Sequence, residues 1–115
     1  MLEYINRDVL IIFPKQPLID WASTIFPNDE VKCPALMAND KGNVYLIAEA
    51  YNSESALEEV RANFEVFFHE ELGNWTYDES LWPKKITWKM FNEWFNYSVQ
   101  SMVLDVLDEP IEKKL

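Results

Sequence analysis

Four carboxylates, Asp20, Glu49, Asp78 and Asp105, stand next to apolar residues in this chain. Burial among such neighbours raises a carboxyl pKa, and two carboxyls so placed can divide the work of acid and base. His69, in His69-Glu70-Glu71, is the single imidazole, and Cys33, in Lys32-Cys33-Pro34, is the single thiol. A zinc-protease helix needs a second histidine four residues after the first, where this chain has Gly73. One histidine and one cysteine do not complete a structural zinc site, and no calcium-loop spacing occurs. Cys33 as a nucleophile would need a base, and His69 is the one imidazole that could serve it. With two glycines in all, the chain has neither a Gly-x-Ser-x-Gly turn nor a phosphate-cradling loop. The sequence therefore assigns no catalytic residue, no metal ligand and no cofactor.

Binding chemistry has more to work with. The stretch from Phe64 to Tyr97 holds 11 of the 17 aromatic residues (5 Trp, 5 Tyr and 7 Phe). Phe64 and Phe67 fall on a helical stripe, whereas Trp75, Tyr77 and Trp82 lie in a segment without periodicity. Such loop aromatics fold back over a core, anchor a protein interface or line a ligand pocket. A second constellation joins Trp21 and Asp20 to Lys15 and to Lys84-Lys85. These lysines precede two expected helices, whose N-termini favour anions.

The elements that must carry these residues follow from periodicity. Val9 to Phe13 is a continuous apolar run, expected as a buried strand that stops at Pro14. Leu18, Trp21, Ala22 and Ile25 share a helical face between Pro17 and Pro27. Val31 to Ala38 reads as a weak edge strand interrupted by Pro34, followed by a turn at Asn39 to Asn43 and a strand from Val44 to Tyr51. The turn suggests that these two strands form a hairpin. One helix is expected from Ser53 or Ser55 to Gly73, with Ser55 and Glu58 as a capping box and Leu57, Val60, Phe64, Phe67, Phe68 and Leu72 as its apolar stripe. Thr87 caps a short helix containing Trp88, Phe91 and Trp94. Tyr97 to Leu107 fits either a helix or a strand. A strand is chosen because the earlier strands need an antiparallel partner. The expected fold is α+β: one domain over 1–115, with a mainly antiparallel sheet of three to four strands, two to three helices on one face, and a tail from 108 that frays.

Composition narrows the function classes. The net charge is −10, from 20 acidic and 10 basic residues, which disfavours nucleic acid and anionic lipid as partners. The lone cysteine cannot form an internal disulfide, and no apolar run has the length of a signal peptide core or a membrane span. A cytoplasmic setting is expected. Three stretches, Pro14 to Trp21, Trp82 to Phe95 and Ser101 to Asp105, resemble small uncharacterised bacterial proteins of this length. That resemblance implies a bacterial α+β domain and carries no functional residue with it.

The leading expectation is a non-catalytic domain that binds another protein through Trp75, Tyr77 and Trp82. The alternative is a small-molecule binder or minor enzyme that uses Trp21 or Trp82 with Asp20, Lys15 and Lys84. It requires a closed pocket and a carboxylate of shifted pKa. A third reading, an acidic mimic, requires the glutamates between 54 and 70 to form one unbroken face.

Overall fold

The apolar run at Val9 to Phe13 becomes the middle strand of the main sheet. In the computed structural model, which describes residues 2–35 and 38–114, β1 is Glu3–Tyr4 and β2 is Arg7–Pro14. Helix α1 is Gln16–Ile25 and β3 is Asn43–Ala48. Then come α2 at Ser53–Ala62, α3 at Phe64–Gly73, a 3-10 turn at Glu79–Leu81 and α4 at Trp88–Trp94. The last strands are β4 at Phe95–Gln100 and β5 at Leu104–Asp105. The sheet order is β3-β2-β4, antiparallel throughout, and β1 pairs with β5 in a separate two-stranded sheet. The fold is α+β.

Register explains which face is covered. Leu10 lies opposite Tyr45 on one side and Val99 on the other, and Ile12 lies opposite Tyr97. Side chains alternate along a strand, so these residues share one face with Phe95 and Ile47. That face meets the helices: Leu10, Ile12 and Phe95 join Leu18, Ile19, Val60, Phe68, Leu72 and Phe91 in one core. Phe68 is its hub, with ring centroids at 5.1 Å from Phe95, 5.5 Å from Trp94 and 6.0 Å from Phe91. On the opposite face Val44 and Leu46 are exposed.

Several local expectations change. Among the described residues Val31 to Ala35 and Ala38 form no strand, while Leu36 and Met37 lie outside them. The hairpin is therefore replaced by the pairing of β3 with β2. Pro34 removes a ladder donor, and β2 offers β3 a longer apolar partner. The strand expected at Val44 to Tyr51 ends at Ala48. The single helix over 53–73 is two, broken at Asn63, whose backbone leaves helical geometry. Its cap is the Asn52 side chain, which accepts from the Ser55 backbone N–H, and not a Ser55–Glu58 box. Of Tyr97 to Leu107, expected as one strand, Tyr97 to Gln100 belongs to β4 and Leu104–Asp105 forms β5 in the other sheet, while Ser101 to Val103, Val106 and Leu107 are not strand.

Candidate functional site

Glu71 is a carboxylate in the core layer. It occupies the last turn of α3 beside Leu72 and is 5% exposed. Two side chains of β3 hold it. The Tyr45 hydroxyl donates to Oε2, and the Asn43 Nδ2 donates to the same oxygen at 2.7 Å. Asn43 and Tyr45 are two residues apart on a strand, so both point to the helix side. The Tyr45 ring meets Phe67 edge-on at 5.3 Å, which fixes α3 against β3. Gly42 allows the turn before β3 to lie against β2, because a Cβ there would sit 2.3 Å from the Ile12 carbonyl oxygen and the Phe13 ring. Two residues earlier, Asp40 takes a left-handed backbone conformation (φ 54°), which Asp tolerates better than most side chains.

Glu71 opens onto a cleft of about 350 Å³ between α1, the end of α3 and the start of β3. Its floor is Leu18 and Ile19, its walls are Asn43, Asn74 and Trp75, and Lys32, Asp40 and Lys41 stand at its rim. Trp75 is held in place by its contact with Phe26, at 6.3 Å between ring centroids. Lys32 pairs with Glu30 at 3.1 Å, and the Lys41 ammonium lies 5.0 Å from the Phe13 ring centroid. Tyr45 and Asn43 both donate to Oε2 of Glu71. No buried side-chain oxygen or nitrogen among the described residues lacks a partner. Oε1 accepts from neither Tyr45 nor Asn43, and Glu71 is one of the residues lining the cleft.

The electrostatics follow from burial. Loss of water pushes the Glu71 carboxyl above its ordinary pKa, against the lowering effect of the Tyr45 and Asn43 hydrogen bonds, with a further rise from Glu70. Tyr45 is pushed up as well, first by burial and then by its bond to Glu71. The pair thus keeps a proton on the phenol and makes the carboxyl a better proton holder than a surface glutamate. Chemically, the site can accept a hydrogen bond from a bound N–H or O–H group, or hold a proton facing it.

The residues singled out from the sequence are distributed elsewhere, apart from Trp75. Tyr77 is 93% exposed. Trp75 and Trp82 are partly buried against the core, and Trp82 stacks on His69 at 5.4 Å while its Nε1 donates to the Thr76 carbonyl. Trp21 Nε1 donates to the Leu81 carbonyl, which brings Trp21 to the 3-10 turn. Lys84 donates to the Ser80 carbonyl on that same turn, while Lys15 donates to the Asn92 carbonyl on α4. Asp20 is exposed and accepts from Gln16. Asp78 is exposed and its pKa is lowered, not raised, by hydrogen bonds from Ser80, with Lys84 adding to the effect. Glu49 is exposed and Asp105 partly so. No group of three or more His, Cys, Asp or Glu among the described residues is placed to hold a metal ion. The chain matches no protein-family model, no curated protein and no solved structure. The site therefore rests on its own geometry.

From the sequence, Glu71 is weighed only within His69-Glu70-Glu71, as a metal cluster, and is not taken as a buried carboxylate. One signal was present. In α3, Phe64, Phe67, Phe68 and Glu71 follow at i, i+3, i+4 and i+7, so Glu71 shares the apolar face.

Proposed function

We infer that this chain is a small-molecule-binding domain and that the Glu71 cleft is its binding site. One observation carries the reading: a buried carboxylate, fixed through one oxygen by Tyr45 and Asn43, lines a cleft together with the apolar Leu18 and Ile19. Burying a carboxylate costs stability unless it is paired, and a purely structural role would be met by an apolar residue. The volume of about 350 Å³ suits a small organic molecule. The ligand expected is one that presents an N–H or O–H donor to Oε1 and an apolar or planar body to Leu18, Ile19 and Trp75. The cleft is open and not the closed pocket expected, and its carboxylate is Glu71 in place of Asp20. A cytoplasmic setting fits the single exposed thiol of Cys33, and no helix among the described residues is long and apolar enough to cross a membrane.

The loop aromatics support a protein interface at one point, Tyr77, since Trp75 and Trp82 spend their apolar area on the core. An acidic mimic has less support, because the break at Asn63 separates Glu54, Glu58 and Glu59 from Glu65 and Glu70.

The test is a fragment screen by ligand-observed NMR, with neutral amides, alcohols and amines as probes, on the native chain and on Glu71→Gln. Gln keeps the shape and can still accept from Tyr45. Fragments that bind the native chain, shift Asn43 and Asn74 amide signals and weaken about tenfold or more in the variant support the site. Fragments that bind both forms equally, or none that bind at all, would sink it.

A further inference from the structure

A second surface of β3 is independent of the cleft. Among the described residues β3 pairs with β2 alone, so its outer edge presents backbone N–H and C=O groups outside the ladder at alternate residues. Edge strands in soluble proteins are commonly blunted by lysine, proline, a bulge or a covering segment. The β3 sequence, Asn43-Val44-Tyr45-Leu46-Ile47-Ala48, contains no charge and no proline. Beside that edge runs a groove of about 300 Å³ whose apolar lining includes Leu46, Ile47, Val60, Val66 and Phe67. Leu46 is 52% exposed and Val66 64%, so both edge and groove are reachable from solvent.

We propose that this edge receives an extended segment of a partner protein, added to the sheet as a strand, with apolar residues alternating and with lysine or arginine among them. That edge fixes the occupant as a strand, because only an extended backbone satisfies alternate donors and acceptors along six residues. The alternation follows from the groove, which takes every second side chain of an added strand. Charge fixes the basic character. Glu59 lies in the groove, Glu70 acts electrostatically on Tyr45, Glu49 follows the strand, and Arg7, opposite Ala48, is the cation near that end. Lys41, near the other end, already lies over Phe13. A second copy of the chain would bring a further net charge of −10 to the same place, so a basic partner is favoured over self-association.

The experiment uses a display library of random twelve-residue peptides against the full chain. Enriched sequences should alternate apolar residues and carry lysine or arginine. A synthetic winner should lose binding when alternate backbone nitrogens are methylated, and should protect amides within 43–48 from hydrogen exchange. Val66→Lys, in the groove but exposed, should weaken that peptide at least about tenfold, since it removes an apolar contact and repels the peptide's cations, without unfolding the chain. A library that enriches nothing, winners that are acidic, binding indifferent to N-methylation, or protection that falls on other residues would each overturn the proposal. So would protection of 43–48 without peptide in a chain that sediments as a dimer, since the occupant is then a second copy.

Discussion

Glu71 loses most of its hydration in the folded chain, and Tyr45 and Asn43 restore only part of it through Oε2. The sign of the resulting pH dependence is fixed. In the unfolded chain the carboxyl ionises near about 4.3. In the folded chain burial makes it hold its proton to higher pH. The folded state binds more protons between those two values, so the stability contributed is fully present below the lower one and is lost as pH rises through the higher. Urea denaturation from about pH 4 to pH 8 should therefore show the native chain losing stability relative to Glu71→Gln as pH rises. Parallel curves would mean that Glu71 keeps its water. Tyr45→Phe removes a donor to a carboxylate and should cost about 1–2 kcal/mol at neutral pH, read as a lower urea midpoint at unchanged slope. At this scale the sequence showed the residue types but not their meeting. Asn43, Tyr45 and Glu71 come from distant segments, and only the β3–α3 packing brings them together.

At the scale of elements, the legible parts were those with strong local signals. The apolar run of β2, the Pro17 start of α1 and the Thr87 cap of α4 all appear where periodicity and capping placed them. Thr87 accepts from the Met90 backbone N–H at 3.1 Å, and Thr87→Ala should cost about 1 kcal/mol in equilibrium unfolding. A loss near zero would show that packing of Trp88 and Phe91, stacked at 5.6 Å, holds that helix start unaided. The break between α2 and α3 was hidden because Asn63 has only a mild helix penalty, and the apolar stripe continues across it from Val60 to Phe64. The choice between a β3 hairpin partner in the 31–38 segment and β2 was not a local matter. It was decided by which strand offered the better apolar surface. Gly42→Ala forces a Cβ into backbone and ring at 2.3 Å, so the β2–β3 approach must widen. That variant should lose about 1–3 kcal/mol and should also disturb the Asn43 and Tyr45 amide signals. A neutral Gly42→Ala would mean that the turn has room to move.

For the whole molecule, a charge of −10 on 115 residues sets a background of self-repulsion. The pairs Lys32–Glu30 and Lys89–Glu93 join side chains more than half exposed and contribute little. Raising salt from about 0.01 M to about 0.15 M shortens the screening length from about 30 Å to about 8 Å, so the melting temperature should rise with sodium chloride at neutral pH. A fall would point to attractive pairs as the dominant electrostatic contribution. The overall class, α+β with helices on one face of an antiparallel sheet, was legible from the order of the elements. The second small sheet was not, since β1 and β5 are two residues each and lie far apart in the chain. The central position of β2 has a further consequence for the chain while it is being made. β2 is synthesised early, yet one flank of it must wait for β4, since Val9 pairs with Gln100 and Pro14 with Phe95. All four helices leave the ribosome before that flank can close, and at about 5–20 residues per second the strand stays half-paired for several seconds. During that interval the nascent chain carries an apolar strand edge open to unintended pairing.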